Sequence, residues 1–251
     1  MTAASSCIGP IIPPSILMVL YGTMADVSIP GLFLGGLIPG LMLGLFMMVY
    51  VWVAAPPGVK RRQRAGLIEI LCSLRTNILP LMTPRAIPAM LEEALITTTQ
   101  IMFILALSSL FGWLVTTEQI PEALGKIFQE SGYGSWAFLA AVNLVLLLLG
   151  TFMSLTSILI IFTPTLIGMG TALGVDPVHL GVVVVLNLTV GLITPPLGWA
   201  LYIVTEIAEI RFIDTARAIL PFLIPILLVL GLITYIPALV LLPVDLLLTV
   251  N

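Results

Sequence analysis

Four stretches of this chain, residues 31–54, 94–115, 135–173 and 218–242, contain no Asp, Glu, Lys or Arg and consist largely of Leu, Ile, Val, Phe, Met, Ala and Gly. About 20 apolar residues in a helix cross a hydrocarbon core, so each stretch is long enough to span a bilayer. Lipid offers no hydrogen-bond partners, and a run of this length satisfies its backbone only as a helix. The runs take up most of the 251 residues, of which 8% are charged against roughly 25% in a soluble domain. The fold class is therefore all-α, a polytopic integral membrane protein whose first partner is the lipid bilayer.

The polar residues between the runs give the expected organisation. Lys60, Arg61, Arg62 and Arg64 follow the first run and predict a cytoplasmic loop, as do Arg211 and Arg217, while Glu118, Glu122 and Glu130 suit the opposite side. Residues 68–82 mix Glu69, Arg75 and Asn77 with Leu and Ile, which predicts an amphipathic helix in the interface. Residues 135–173 exceed one crossing and carry Gly150, Thr151 and Ser154 near the middle, predicting a broken helix; the alternative is two helices joined by a turn within 162–170. No basic residue precedes the first prolines, so no cleaved targeting segment is expected. Cys7 and Cys72 have neither metal nor redox spacing. The basic residues are too scattered for a nucleic-acid face.

Two segments break the apolar pattern in the same way: residues 9–15 read GPIIPPS and residues 191–198 read GLITPPLG. A shift of 182 positions superimposes Gly9 on Gly191, Ile11 on Ile193, Pro13 and Pro14 on Pro195 and Pro196, Thr23 on Thr205, and Pro39 on Pro221. Proline removes a backbone donor and blocks the preceding turn. The groups it frees must be buried in protein or line a watery cavity, because lipid leaves each unpaired at a cost of several kcal/mol. Paired interruptions in two halves of a membrane protein point to a transporter's binding site. The expected form is a re-entrant hairpin, with residues 182–191 and 199–207 as the arms of the second; the alternative is a pair of kinked spans. At such tips helix N-termini attract anions, while the hydroxyls of Ser5, Ser6, Ser15 and Thr194 and the carbonyl of Asn187 are candidate ligands for a hard cation such as Na⁺.

The stretches AASSCIGPIIPPSILMVLYG, GLFLGGLIPGLMLG, LGVDPVHLGVVVVLNLTVGLITPPLGWALYIV and IPILLVLGLITYIPALVLLP together resemble the large membrane subunit of the tripartite ATP-independent periplasmic (TRAP) transporters. The resemblance implies an incomplete inverted repeat of the ion-transporter type in the bacterial inner membrane. It also implies sodium-coupled import of organic acids, of the C4-dicarboxylate or sialic-acid kind, with no cofactor beyond Na⁺ as coupling ion. Its implied partners are a small membrane subunit, a periplasmic substrate-binding protein, and the N-terminal part of the large subunit that this chain lacks. The alternative is a non-transporting remnant or scaffold fragment of such a subunit.

Against the family pattern, a hydrophobic stretch with a GIFTPTEA-like motif is missing between Pro84 and Arg85, and the acidic residue of a G-x-F-M-D pattern is Ser154 in GTFMS. Expected boundaries are 1–58 for the end of the first repeat, 59–93 for the basic loop and interfacial helix, and 94–251 for the second repeat. The candidate substrate and ion site comprises Ser5, Ser6, Gly9, Pro13, Pro14 and Ser15 at the first tip. Ser154 joins it at the helix break, and Asn187, Gly191, Thr194, Pro195, Pro196 and Gly198 at the second tip. Ser15, Asn187 and Thr194 are the Na⁺ candidates. Enzyme chemistry is not expected: the one histidine, His179, reads as a polar loop residue beside Asp176–Pro177, and Glu92 and Glu93 read as acids opening a spanning helix.

Overall fold

A computed structural model of the chain describes residues 2–54, 87–118, 134–195, 198–208 and 210–248. Among the described residues the regular structure is helical throughout: α1 (Thr2–Ser5), α2 (Ile16–Ala25), α3 (Ile29–Ala54), α4 (Ile87–Thr117), α5 (Gly134–Phe152), α6 (Leu155–Ala172), α7 (Pro177–Gly191), α8 (Trp199–Ala208), α9 (Phe212–Tyr235) and α10 (Ala238–Leu248). The basic cluster, the expected interfacial helix, Cys72, Glu122, Glu130 and Pro196 lie outside the described residues.

These residues fall into two compact units, 54–107 and the combination of 1–53 with 108–251. In the smaller unit the described part is the first portion of α4. There Thr98 and Thr99 donate their hydroxyls back to the Ala94 and Leu95 carbonyls at 2.7 and 2.8 Å, which satisfies them without water. This helix begins at Ile87, so Glu92 and Glu93 lie inside it and do not open it.

In the larger unit α3, α5, α6 and α9 are each long and apolar enough to cross a membrane. The long apolar segment 135–173 breaks at Met153–Ser154, leaving helices of 19 and 18 residues. Residues 162–170 stay helical through Pro164. On the outer face of α3, Leu37, Leu41, Leu45, Met48 and Trp52 are exposed at near four-residue spacing, and on α9 so are Leu220, Ile224, Leu227 and Leu228. Apolar side chains gain nothing by leaving lipid for one another, so the interior is held by close packing and by hydrogen bonds.

The centre of that interior is α7. Asp176 caps its N-terminus, accepting from the N–H groups of Val178 and His179 at 2.8 and 3.0 Å, and Pro177 opens the first turn. Every residue from His179 to Gly191 is buried, because α7 packs against α2, α5, α6, α9 and α10. Two expectations are corrected here. The arm starts at Pro177, five positions before residue 182. His179 belongs to this helix and not to a loop; it is buried, with Nε2 2.9 Å from the Ile233 carbonyl. The Asp-Pro pair reads as a turn, but it is a helix start.

The 182-residue shift carries α2 to residues 198–207 and α3 to 211–236, within one residue of α8 and α9 at every boundary. Each first arm also packs on the other repeat's second arm, α1 on α8 and α7 on α2. Cys7 Sγ donates to the Thr189 carbonyl at 3.3 Å, and these two residues are themselves 182 apart. A residue touching its own repeat mate lies on the pseudo-symmetry axis between the halves.

Candidate functional site

At both interruptions the chain turns from one helix into a second of 10 residues, α2 at the first and α8 at the second, too short to cross. The first tip runs from α1 to α2. Its turns are closed by Ile8 N–H to Ser5 C=O at 3.1 Å and Ile11 N–H to Ile8 C=O at 3.2 Å. Ser15 ends the tip and caps α2: its Oγ accepts from the Met18 N–H at 3.2 Å and donates to the Pro10 carbonyl. That serine is buried, so its hydroxyl is committed to shaping the tip.

The second tip runs from α7, 15 residues long, to α8, 10 residues long, against about 20 for a crossing. Ala200 N–H reaches back to the Leu192 carbonyl at 3.2 Å and closes the loop. Gly198 sits at φ +46, a left-handed conformation that favours glycine. Thr194 donates to the Val190 carbonyl at 2.7 Å. Gly191 lies against Gly150 of α5 so closely that a Cβ on Gly191 would stand 2.8 Å from Gly150 Cα. This contact brings the end of α7 beside the α5–α6 break.

Between these parts lies a cavity of about 610 Å³. Its wall takes Gly9, Pro10, Pro14 and Ser15 from the first tip, Ile16 and Leu17 from the start of α2, Ser154, Leu155 and Thr156 from the start of α6, and Leu192 from the second tip. Two helix N-termini therefore converge on one space. At α2, Ser15 satisfies only the Met18 N–H. At α6, Ser154 occupies the capping position without a side-chain capping hydrogen bond, and the first intrahelical bond is Ile158 N–H to Ser154 C=O at 3.0 Å. The first-turn N–H groups of both helices have no carbonyl one turn back to bond, and the dipoles add positive potential. Among the described residues no cationic side chain lines the cavity. Its chemistry is that of main-chain donors in an apolar wall, which suits a carboxylate on an organic body.

The expected site residues separate accordingly. Gly9, Pro14, Ser15 and Ser154 line the cavity. Pro13 is half-buried in the first tip, and Ser5 and Ser6 are exposed beside it. Gly191, Thr194, Pro195 and Gly198 form the second tip, which reaches the cavity through Leu192. Asn187 is elsewhere. It is fully buried one turn before Gly191, where its Nδ2 donates to the Asn143 carbonyl at 2.9 Å and to Asn143 Oδ1 at 2.8 Å. Asn143 and Thr156 escaped the sequence reading; a single Asn in an otherwise apolar spanning run was the available signal for Asn143. No group of three or more His, Cys, Asp or Glu side chains that could hold a metal ion occurs among the described residues.

The family model for the tripartite ATP-independent periplasmic transporter, DctM component, matches residues 1–87 and 82–239. Those two matches meet where the sequence lacks the stretch between Pro84 and Arg85. The sialic acid TRAP transporter large permease protein SiaM of Vibrio cholerae is 34% identical, with 94% of this chain and 65% of that protein aligned. The C4-dicarboxylate TRAP transporter large permease protein DctM of Pseudomonas aeruginosa is 35% identical over 92% of this chain and 63% of its own length. For the isethionate TRAP transporter permease protein DctMQ of Oleidesulfovibrio alaskensis the figures are 30%, 95% and 44%. The chain thus spans less than two-thirds of the length of each of these three relatives.

Proposed function

This chain belongs to the DctM component family of tripartite ATP-independent periplasmic transporters, and on that premise we propose that it carries the solute cavity of a secondary, sodium-coupled importer of organic acids in the bacterial inner membrane. The observation that carries this reading is the meeting of two helix N-termini at one cavity, between a proline-pair tip, a helix break and the second tip. A carboxylate placed there exchanges part of its water shell for main-chain N–H groups and dipole potential. The named substrates of the relatives, sialic acid, C4-dicarboxylates and isethionate, are all anions, which supports the same class of cargo here. Energy comes from the sodium gradient: one Na⁺ moving down about 100 mV supplies roughly 2.3 kcal/mol. The working assembly includes a small membrane subunit, a periplasmic binding protein that delivers the solute, and the portion of the large subunit outside the region shared with the relatives. The chain performs no covalent chemistry.

The test is uptake in proteoliposomes containing the full assembly. Pro195→Ala with Pro196→Ala restores helix-forming residues at the second tip and is expected to abolish sodium-dependent uptake of the organic acid while membrane insertion is retained. Unchanged uptake by the double variant refutes the role of the tip. No uptake by the unaltered assembly, with any of the three classes of anion, favours a non-transporting scaffold.

A further inference from the structure

His179 lies in the first turn of α7 with 1% of its surface exposed, and only one of its ring nitrogens has a partner. Nε2 stands 2.9 Å from the Ile233 carbonyl, an acceptor, so Nε2 carries hydrogen and Nδ1 of the neutral ring is itself an acceptor. Nδ1 bonds to nothing among the described residues. It is also not sealed in: the buried side-chain atoms that are both unpartnered and closed off are Thr165 Oγ1 and Asn187 Oδ1. What surface His179 keeps opens on a cavity of about 210 Å³, where the starts of α5, α7 and α10 meet the end of α9.

Two more acceptors line this cavity. Asp176 Oδ1 is taken by the Val178 and His179 N–H groups, whereas Oδ2 has no partner among the described residues. The half-buried Ser135 hydroxyl has none there either. Thr234, also in the wall, is already committed, accepting from Asn143 Nδ2 at 2.8 Å and donating to the Leu230 carbonyl at 2.7 Å. Trp136 and Tyr235, both exposed, stack beside the acceptors with ring centroids 5.2 Å apart.

Three acceptors, one of them charged, next to aromatic rings call for a cation that donates hydrogen bonds. An anion does not suit the cavity, because Asp176 already occupies the α7 N-terminus and no cationic side chain lines the wall among the described residues. A metal ion would find one carboxylate and one imidazole, fewer than a site needs. A primary ammonium has three donors and gains from a ring face within about 6 Å. A water claims about 30 Å³, so the cavity takes a group of several heavy atoms and not a whole sugar acid.

We propose that this cavity binds the primary ammonium group of a small amine or of an aminoethyl lipid headgroup, accepted by Asp176 Oδ2, His179 Nδ1 and Ser135 Oγ beside the Trp136–Tyr235 stack. Both sources have access, because exposed Trp and Tyr at helix ends belong where the bilayer meets water. The cavity shares no lining residue with the 610 Å³ cavity, and the site does not depend on the proposed transport reading.

The experiment is equilibrium dialysis of ¹⁴C-labelled ethanolamine against the purified full chain in nonionic detergent, with no gradient or organic acid. Saturable binding is expected, with unlabelled choline, whose nitrogen has no hydrogen to donate, competing about tenfold less well than unlabelled ethanolamine. Asp176→Asn keeps an acceptor for the helix cap but loses the charge, and is expected to weaken binding by about tenfold. Trp136→Leu, at an exposed ring, should weaken it by about threefold. No saturable binding to the unaltered chain, choline competing as well as ethanolamine, or full binding by Asp176→Asn overturns the proposal. Dioctanoylphosphatidylethanolamine displacing the label at lower concentration than ethanolamine identifies a lipid headgroup as the source; failure to do so identifies a soluble amine, and either result upholds the ammonium site.

Discussion

Gly191→Ala is the sharpest perturbation of the site. The added Cβ would stand 2.8 Å from Gly150 Cα and 3.0 Å from Gly150 C, whereas non-bonded carbons rest at about 3.5–4.0 Å. Both obstructing atoms are backbone, so no rotamer change relieves the clash, and α5 and α7 must separate by about 1 Å at this level. Overpacking of this kind costs about 1–3 kcal/mol, and rigid walls on both sides place Gly191→Ala toward the upper end. The separation also moves Leu192 away from Ser154, widening the cavity they share. Gly44→Ala is the control, because its Cβ meets nothing within 4 Å, and there the better helix propensity of Ala offsets other losses by up to about 1 kcal/mol. The measurement is the unfolding midpoint of each purified variant in mild detergent under increasing denaturant. Gly191→Ala unfolding at the same midpoint as Gly44→Ala would refute the close approach and, with it, the placement of the second tip at the cavity.

Asp176→Ala removes the acceptor of two N–H groups at the start of α7 and is expected to destabilise the protein by about 1–2 kcal/mol; the same denaturant titration reads it, and Asp176→Asn should recover most of the loss. Arg211, the N-cap residue of α9, and Asp214 in its first turn form an exposed pair 2.9 Å apart. Arg211→Ala should therefore change stability by no more than about 0.5 kcal/mol, and a larger drop in midpoint would show that Arg211 has a partner outside this pair.

Apolar runs and proline pairs made the helices and the tips readable because both are local signals. A charge-free run of 24 residues has few alternatives to a helix in lipid, and two adjacent prolines end a helix whatever surrounds them. Shift symmetry made the pairing of the repeats readable too, since Gly9 and Gly191 mark equivalent breaks without any structure. What the sequence hid were the facts that depend on which faces meet. His179 looked like a loop residue because Asp-Pro opens turns and helices alike, and only its bond to the Ile233 carbonyl shows the side chain facing inward. Asn187 looked like a tip ligand from its distance to Gly191 along the chain. A helix turns 100° per residue, so four residues of rise carry Asn187 one turn away, where Asn143 of another helix holds it. Cys7 read as a small packing residue, and it is buried, but its contact with Thr189 places it on the axis between the halves.

That no cationic side chain among the described residues lines the cavity bears on how a carrier of this type works. On the proposed reading its hold on an organic anion comes from the N-termini of α2 and α6, each contributing from about 0.3–1 kcal/mol when exposed to about 2 kcal/mol when partly buried. Two such ends together give at most about 4 kcal/mol, which alone corresponds to a dissociation constant near 1 mM. An arginine clamp in the same apolar wall would bind far more tightly, through charge-assisted bidentate hydrogen bonds, and would hold the solute on the releasing side as firmly as on the loading side. Main-chain dipoles avoid holding the solute equally on both sides, because their strength depends on both helix starts facing one space. Any motion that parts the α5–α6 break from the first tip withdraws one dipole and lowers affinity without a charge having to be desolvated. In this arrangement Ser154, which makes no side-chain capping hydrogen bond, leaves the α6 N-terminus open to the cavity.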